Sequence, residues 1–323
     1  MNLKMKTLAA AMIAAGTLGT AQASQALFPY VVNSTTVTTI VSVVDVGPGY
    51  VQSGVRTLHY ALWYKDGANA EKNSEKCIEV NQFLPSSLND IQTIDLGGKF
   101  GSTTKGVLFN DPSINNDWKA SNKRFDMANL ATKPLRGYLV VDDLAPLSAG
   151  SEPLIEGEAM VFEFATGATW GYLAGRSVDG NFTTDDNLTA APFQNVSIKP
   201  WGEITTKFFV TPIDTEMLYS GNNSGSTTLT MLRSGTVAMY DRDENPVSGT
   251  VPQSVVCVGA VDASSLITAS AKTLLPDGGW GTLNVTHTSP ISAASVIKLD
   301  YNTKTTFNGE TVSGTFNNAF QLR

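Results

Sequence analysis

A β-branched run and an alternating apolar one, on either side of a Gly-Pro-Gly turn, constrain this chain more than any other feature. Residues 36–46 read TVTTIVSVVDV, and residues 55–64 read VRTLHYALWY, which places Leu58, Tyr60, Leu62 and Tyr64 on one face of an extended segment. Branched and aromatic side chains lose rotamer freedom in a helix and pack well on a pleated surface, so both segments predict strands. Gly47-Pro48-Gly49 between them interrupts any helix, and the two strands are expected to form a hairpin or to lie side by side. Further strands are predicted at 91–96, 106–109, 137–142, 159–164, 203–211, 227–232, 236–240, 254–259, 282–286 and 295–301.

Helical periodicity is sustained only at 264–272 (SSLITASAK), with Asp262 placed to cap it and Pro276 and Gly278 to end it. The polar stretches 110–133 and 177–200 read as long loops, the first with one helical turn near 125–130. The expected fold is mostly β: an antiparallel β-sandwich, immunoglobulin-like or jelly-roll-like, as one or two tightly docked sandwiches with a short helix near 263–272. The second loop divides the chain into β-rich parts at 27–200 and 201–323, expected to form one compact unit.

The N-terminus carries a different signal. Lys4 and Lys6 precede the run LAAAMIAA at 8–15, far shorter than the roughly 20 apolar residues that span a bilayer. Ala21-Gln22-Ala23 and Ser24-Gln25-Ala26 both offer the small residues that a signal peptidase reads, so residues 1–26 predict a leader cut after Ala23 or after Ala26. The expected location is outside the cytoplasm: periplasm, cell surface or medium. Losing the two lysines takes the formal charge from −7 to −9, which argues against nucleic acid as a partner. No later segment has membrane-spanning length.

Two cysteines, Cys77 and Cys257, in a chain bound for an oxidising compartment predict one disulfide that ties the first third to the last. The only two histidines, His59 and His287, have no metal-like neighbours in sequence, and no nucleophile elbow, zincin or phosphate-loop motif occurs. The sequence thus leaves enzyme activity open, with a non-enzyme the favoured reading and no catalytic residues assigned. Glu156 and Glu158 flank an apolar strand with Glu163, carboxylates that could seed a glycosidase acid–base pair. The pattern also fits a strand that turns Met160, Phe162 and Phe164 inward and its acids outward.

Asp241, Asp243 and Asn245 set oxygen side chains at alternate positions of a connector, a candidate calcium loop that departs from the EF-hand pattern at Pro246 and Pro252. Asp179, Asn181, Asp185, Asp186 and Asn187 form a second such cluster; in both, the alternative is a turn held by Asx hydrogen bonds. Trp170, Tyr172, Trp201 and Trp280 lie beside glycines and are candidates for a carbohydrate platform, against half-buried packing. The segment 27–46, from Leu27 to Val46, holds a single charge, Asp45, and suits strand addition to a second copy as well as an ordinary core strand.

Together these features predict a non-enzymatic structural or adhesive protein of the cell surface or extracellular matrix, self-assembling through its N-terminal strand. The alternative is a β-sandwich that binds or hydrolyses extracellular carbohydrate, with surface glycans as partner.

Overall fold

A computed structural model describes residues 22–45, 56–86, 89–97, 99, 107–109, 134–147, 155–165, 167–185, 187–220, 224–302, 304, 306–307, 310–311 and 317–323. The Gly47-Pro48-Gly49 turn, the stretch 110–133 and most of the leader lie outside them. The described chain is mostly antiparallel β-structure in several sheets.

The described residues up to 177 build ten strands: β1 (Gln22–Asn33), β2 (Val37–Asp45), β3 (Arg56–Asp66), β4 (Ile78–Ser86), β5 (Ile91–Asp95), β6 (Val107–Phe109), β7 (Leu135–Leu147), β8 (Ile155–Glu163), β9 (Ala168–Leu173) and β10 (Gly175–Ser177). They form a first sheet in the order β10-β1-β7-β3-β4 and a second in the order β6-β5-β2-β8-β9. The two runs that flank the Gly-Pro-Gly turn are both strands, but β2 pairs with β5 and β8 while β3 pairs with β4 and β7. They therefore lie in different sheets, neither a hairpin nor neighbours. Both segments carry a buried face aimed at the same core, and facing sheets bury those faces against each other.

The later strands are β11 (Phe193–Ile198), β12 (Ile204–Ile213), β13 (Thr227–Met231), β14 (Val237–Tyr240), β15 (Pro246–Ser248), β16 (Gln253–Val255), β17 (Gly259–Asp262), β18 (Gly279–His287) and β19 (Ala293–Asn302), then a small ribbon of β20 (Thr306–Phe307) and β21 (Glu310–Thr311), and β22 (Asn317–Gln321). A third sheet runs β15-β14-β18-β13-β16 with β11 added to β18, and a fourth runs β17-β12-β19-β22. The stretch 177–200, expected as loop, thus contributes β11; its FQNVSI alternates exposed and buried positions, a short pattern hidden among polar neighbours.

Period-two alternation distributes the apolar side chains among three cores. Phe28, Leu58, Tyr60, Leu62, Leu139 and Val141 of the first sheet meet Val41, Val43, Ile94, Ile155 and Ala159 of the second. Phe208, Val210 and Val296 of the fourth sheet meet Leu229, Met231, Met239 and Leu283 of the third. The intervening residues of β1, β3 and β7 (Leu27, Tyr30, Ala61, Trp63, Tyr138 and Val140) turn the other way and meet Phe209, Ile213, Ile297 and Leu299 of the fourth sheet. The inner strands β1, β3, β7, β12 and β19 are therefore buried on both faces and read as largely apolar runs for that reason, while β4 and β22 at the edges stay partly exposed. Polar links cross the same junction. Asn73 Nδ2 donates to the Ala260 carbonyl at 3.0 Å, the Ala260 amide donates back to Asn73 Oδ1 at 3.1 Å, and Thr211 Oγ1 donates to the Pro29 carbonyl.

The disulfide between Cys77 and Cys257 closes within this junction, with Cα atoms 6.0 Å apart and 180 residues between them in sequence. The loop leading to Cys77 is clamped by two cations on the first sheet. Arg136 Nη1 donates to the Ala70 carbonyl at 2.9 Å, and Lys65 Nζ donates to the Lys72 carbonyl at 2.7 Å.

Two local expectations need correction. The helix near 263–272 is broken into a 3-10 turn, Ala263–Leu266, and a short helix, Ala269–Thr273; among the described residues Met217–Ser220 is also a short α-helix and Gly67–Asn69 a 3-10 turn. Asp262 makes no side-chain cap; Thr268 is the cap, its Oγ1 accepting from the Ala271 amide at 3.2 Å. Thr268 interrupts because its hydroxyl satisfies an amide that has no partner in the helix. Strand β8 faces opposite to the expected phase. Ile155, Ala159 and Val161 point to the core, while Met160 and Phe164 are exposed. A Cβ on the core-facing Gly157 would run into the Phe28 ring, so the large side chain comes from β1 and β8 offers small ones. The segment 27–46 takes the core-strand form of the two its sequence allows. Strand β1 is paired on both sides, by β7 and β10, and β2 by β5 and β8.

Candidate functional site

A cleft of about 530 Å³ opens where β8, β9 and β10 meet β19 and β22. Its floor is apolar, from Tyr172, Ala174, Ile297 and Ala319, and its rim is polar and charged. Glu156 projects outward from β8 because its neighbours Ile155 and Gly157 face the core. Arg176 on β10 donates from Nη1 to Glu156 Oε1, with both side chains about half exposed. The Arg176 amide donates to Asp185 Oδ2 at 3.0 Å, and the other oxygen of Asp185 accepts from the Asn187 amide at 2.8 Å. Gln321 Nε2, on β22, donates to the Leu188 carbonyl at 2.9 Å and to Ser295 Oγ at 2.8 Å. Tyr172 donates its hydroxyl to the Tyr30 carbonyl, and burial pushes the phenol far up, so it remains a neutral donor.

A guanidinium, two carboxylates, carboxamides and an aromatic ring around an apolar floor suit a hydroxyl-rich ligand. Of the three glutamates singled out in sequence, only Glu156 lines this cleft, where Asp185 and Asn187 of the second acidic cluster join it. Glu158 lies opposite Ser42 and Leu173 in the ladder, and Glu163 accepts from the Ala165 amide at 2.8 Å. Sequence reading missed Arg176, Gln321 and Arg323, which reach the cleft from positions far apart in the chain and carry no local motif.

The four aromatic candidates do not share one surface. Trp170 and Tyr172 are neighbours on β9, 5.9 Å between ring centroids, and Trp170 stacks on Phe209 of the fourth sheet at 5.3 Å. Trp170 therefore acts as packing at the junction. Trp201 lines a separate cleft of about 340 Å³, with Lys272 Nζ 5.6 Å from its ring centroid. Trp280 lies on the outer face of the third sheet, stacked on Tyr240 at 5.2 Å beneath the Arg233 guanidinium.

Asp241, Asp243 and Asn245 are brought together in the β14–β15 connection, as an Asx-held turn. Asp241 Oδ1 accepts from the amides of Asp243 and Asn245, each at 2.8 Å, and Oδ2 accepts from Asn245 Nδ2 at 2.9 Å. The Asn245 side chain thus presents a donor to Asp241, where a cation would need its oxygen. Among the described residues no group of three His, Cys, Asp or Glu side chains is placed to hold a metal ion. The second cluster is a run of similar turns: Asp179 Oδ1 accepts from the Asn181 amide at 3.0 Å, and Asn181 Oδ1 from the Thr183 amide at 3.0 Å. Asp186 lies outside the described residues.

The hydrogen bonds from Asn245 hold the Asp241 carboxyl below the usual carboxylate range, so the turn is secure above that range and loosens as pH falls through it. Asp241→Ala is expected to speed amide hydrogen exchange at Asp243 and Asn245 without changing exchange in the neighbouring strands. Unchanged protection of those two amides would show that the carboxylate does not hold the turn.

His59 and His287 are in different sheets. His59 Nε2 lies 2.7 Å from Asn81 Oδ1 with its ring stacked on Phe83, and His287 Nδ1 lies 3.0 Å from Thr227 Oγ1. Burial lowers both pKa values below the ordinary imidazole range, so both are neutral at pH 7.

One buried carboxyl had no sequence signal. Ladder register sets Ser177, Gln25, Asp142 and His59 side by side across β10, β1, β7 and β3, on the face turned to the later sheets. Asp142 is 2% exposed, its Oδ1 has no hydrogen-bond partner, and its other contact is a hydrogen bond with Gln25. Burial, with the nearby Asp143 charge adding to it, pushes the Asp142 carboxyl up to about 7.

No protein-family model matches this chain, no curated protein matches it, and no solved structure matches it.

Proposed function

We propose that this chain is an exported, non-enzymatic structural or adhesive protein of the cell surface or extracellular matrix, built as two docked β-sandwiches. The observation that carries the reading is the Cys77–Cys257 bond, buried between the first and fourth sheets. Such a bond persists in oxidising compartments and is reduced in most cytosols. The short charged leader and the low content of charged residues, 16%, support the same reading. Self-assembly by strand addition takes a specific form here. Since β7 and β10 already complete β1 within the chain, a second copy can accept that strand only by exchange, with the same ladder formed between copies.

Fractionation of cells expressing the full chain, followed by light scattering on the purified protein, tests the reading. Recovery outside the cytoplasm with the disulfide closed, and dimers or polymers that grow with concentration, are the expected results. A strict monomer at high concentration would remove the self-assembling subunit, and a reduced cytoplasmic protein would remove export as well.

The cleft favours a second reading, a carbohydrate-binding module. If a neutral oligosaccharide seats on Tyr172 and the Glu156–Arg176 pair, titration calorimetry should show binding that falls tenfold or more in Arg176→Ala. Equal affinity in that variant would place any sugar site elsewhere.

A further inference from the structure

We propose that the export peptidase hydrolyses the Ala23–Ser24 peptide bond and that Ser24, Gln25 and Ala26 remain as structural residues of the folded protein, an inference that rests on the export reading above. In sequence the triplets ending at Ala23 and at Ala26 are equivalent, since each offers a small residue at both positions the peptidase reads. The fold distinguishes them. The β1–β7 ladder is continuous from Ser24 to Phe28, and its register slips between Gln22 and Ser24. Ser24 and Ala26 are fully buried and Gln25 nearly so.

Each of the three residues has a defined task. Ser24 Oγ accepts from the Ile155 amide at 3.1 Å and so joins the first sheet to the start of β8 in the second. Gln25 and Ala26 supply two of the three ladder positions that hold β10, opposite Ser177 and Arg176. The Gln25 carboxamide hydrogen-bonds Asp142 and lies against Gly180, which has φ +79°; a Cβ there would stand 3.0 Å from Gln25 Oε1. A cut after Ala26 would leave the Ile155 amide without its acceptor and Asp142 without its hydrogen bond, and would release the strand that carries Arg176 into the cleft. A cut after Ala23 keeps all of these. Water adds across that bond, giving a carboxylate on Ala23 and an ammonium on Ser24. The peptidase acts on the unfolded precursor, so the folded contacts do not direct the cut; they set which of the two products can complete the sheet and persist as a folded protein.

Intact mass and N-terminal peptide analysis of protein recovered outside the cytoplasm, from cells making the full chain, tests the position. A chain beginning at Ser24 is the expected result. A chain beginning at Leu27 would overturn this inference and leave export standing, whereas a chain retained in the cytoplasm with the leader intact would overturn both. Two purified chains, starting at Ser24 and at Leu27, test the structural half. The shorter one is expected to melt roughly 5 °C or more below the longer, and equal melting temperatures would overturn it.

Discussion

Replacing Cys77 and Cys257 together by Ala should lower the unfolding free energy by roughly 3–5 kcal/mol and the melting temperature by about 10 °C. The two residues are separated by 180 positions, and closing a loop of that length restricts the unfolded chain by roughly 5 kcal/mol in the loop-entropy description, an upper figure. Location adds a second effect. The bond joins the chain before β4 to the chain before β17, so without it the junction core is held only by packing and by links such as Asn73 to Ala260. Unfolding of the variant is therefore expected to lose cooperativity, with the fluorescence of Trp63 and Trp170 at the junction changing at lower denaturant than far-ultraviolet circular dichroism. Coincident transitions in both probes, at the wild-type midpoint, would show that the bond contributes nothing to holding the sheets together.

Asp142→Asn should reverse a pH-dependent loss of stability. The native carboxyl titrates at about 7, and the unfolded one near 3.9, because burial on the inner face of the first sheet penalises the charged form. Raised in the folded state, this group contributes its full stability below pH 4, loses it as pH rises through 7, and costs the fold above that. The span of about three pH units corresponds to on the order of 4 kcal/mol. The asparagine is isosteric and uncharged, so the variant should match wild type near pH 4 and exceed it by roughly 2–4 kcal/mol at pH 8.5. Urea midpoints at the two pH values measure the difference. Parallel profiles for the two proteins would mean that Asp142 is charged in the fold and solvated by groups other than Gln25.

Alternation along each strand was legible without coordinates. Leu58, Tyr60 and Leu62 share a face in sequence and share a core in the structure, and the β-branched run of β2 is a strand where expected. Period-two patterning is local, because it depends only on which side of the pleat each residue occupies. The pairing of Cys77 with Cys257 was legible for another reason: with only two cysteines there is one way to form an intrachain bond.

What alternation cannot encode is the identity of the surface that meets each face. In sequence the apolar segment 27–46 suits strand addition to a second copy as well as an ordinary core strand. The structure gives its near absence of charge a cause within the chain: Ala26 and Phe28 of β1 enter one core while Leu27 and Tyr30 enter another, and a strand buried on both faces has no polar side to show. The facing of β8 was likewise decided by Phe28 on another strand. Arg176, Asp185 and Gln321 gather at one cleft because the first and fourth sheets are docked, and Asp142 is desolvated because the fold leaves it 2% exposed.

Composition and periodicity by themselves determined that this chain makes strands, where most of them lie, and which two sulfurs pair. The order of strands in the sheets, the two-faced burial of β1, the site of the cleft and the environment of Asp142 were decided by tertiary structure alone. All four depend on contacts between residues far apart in the chain, and a pattern read along one strand carries no information about what the opposing surface will be.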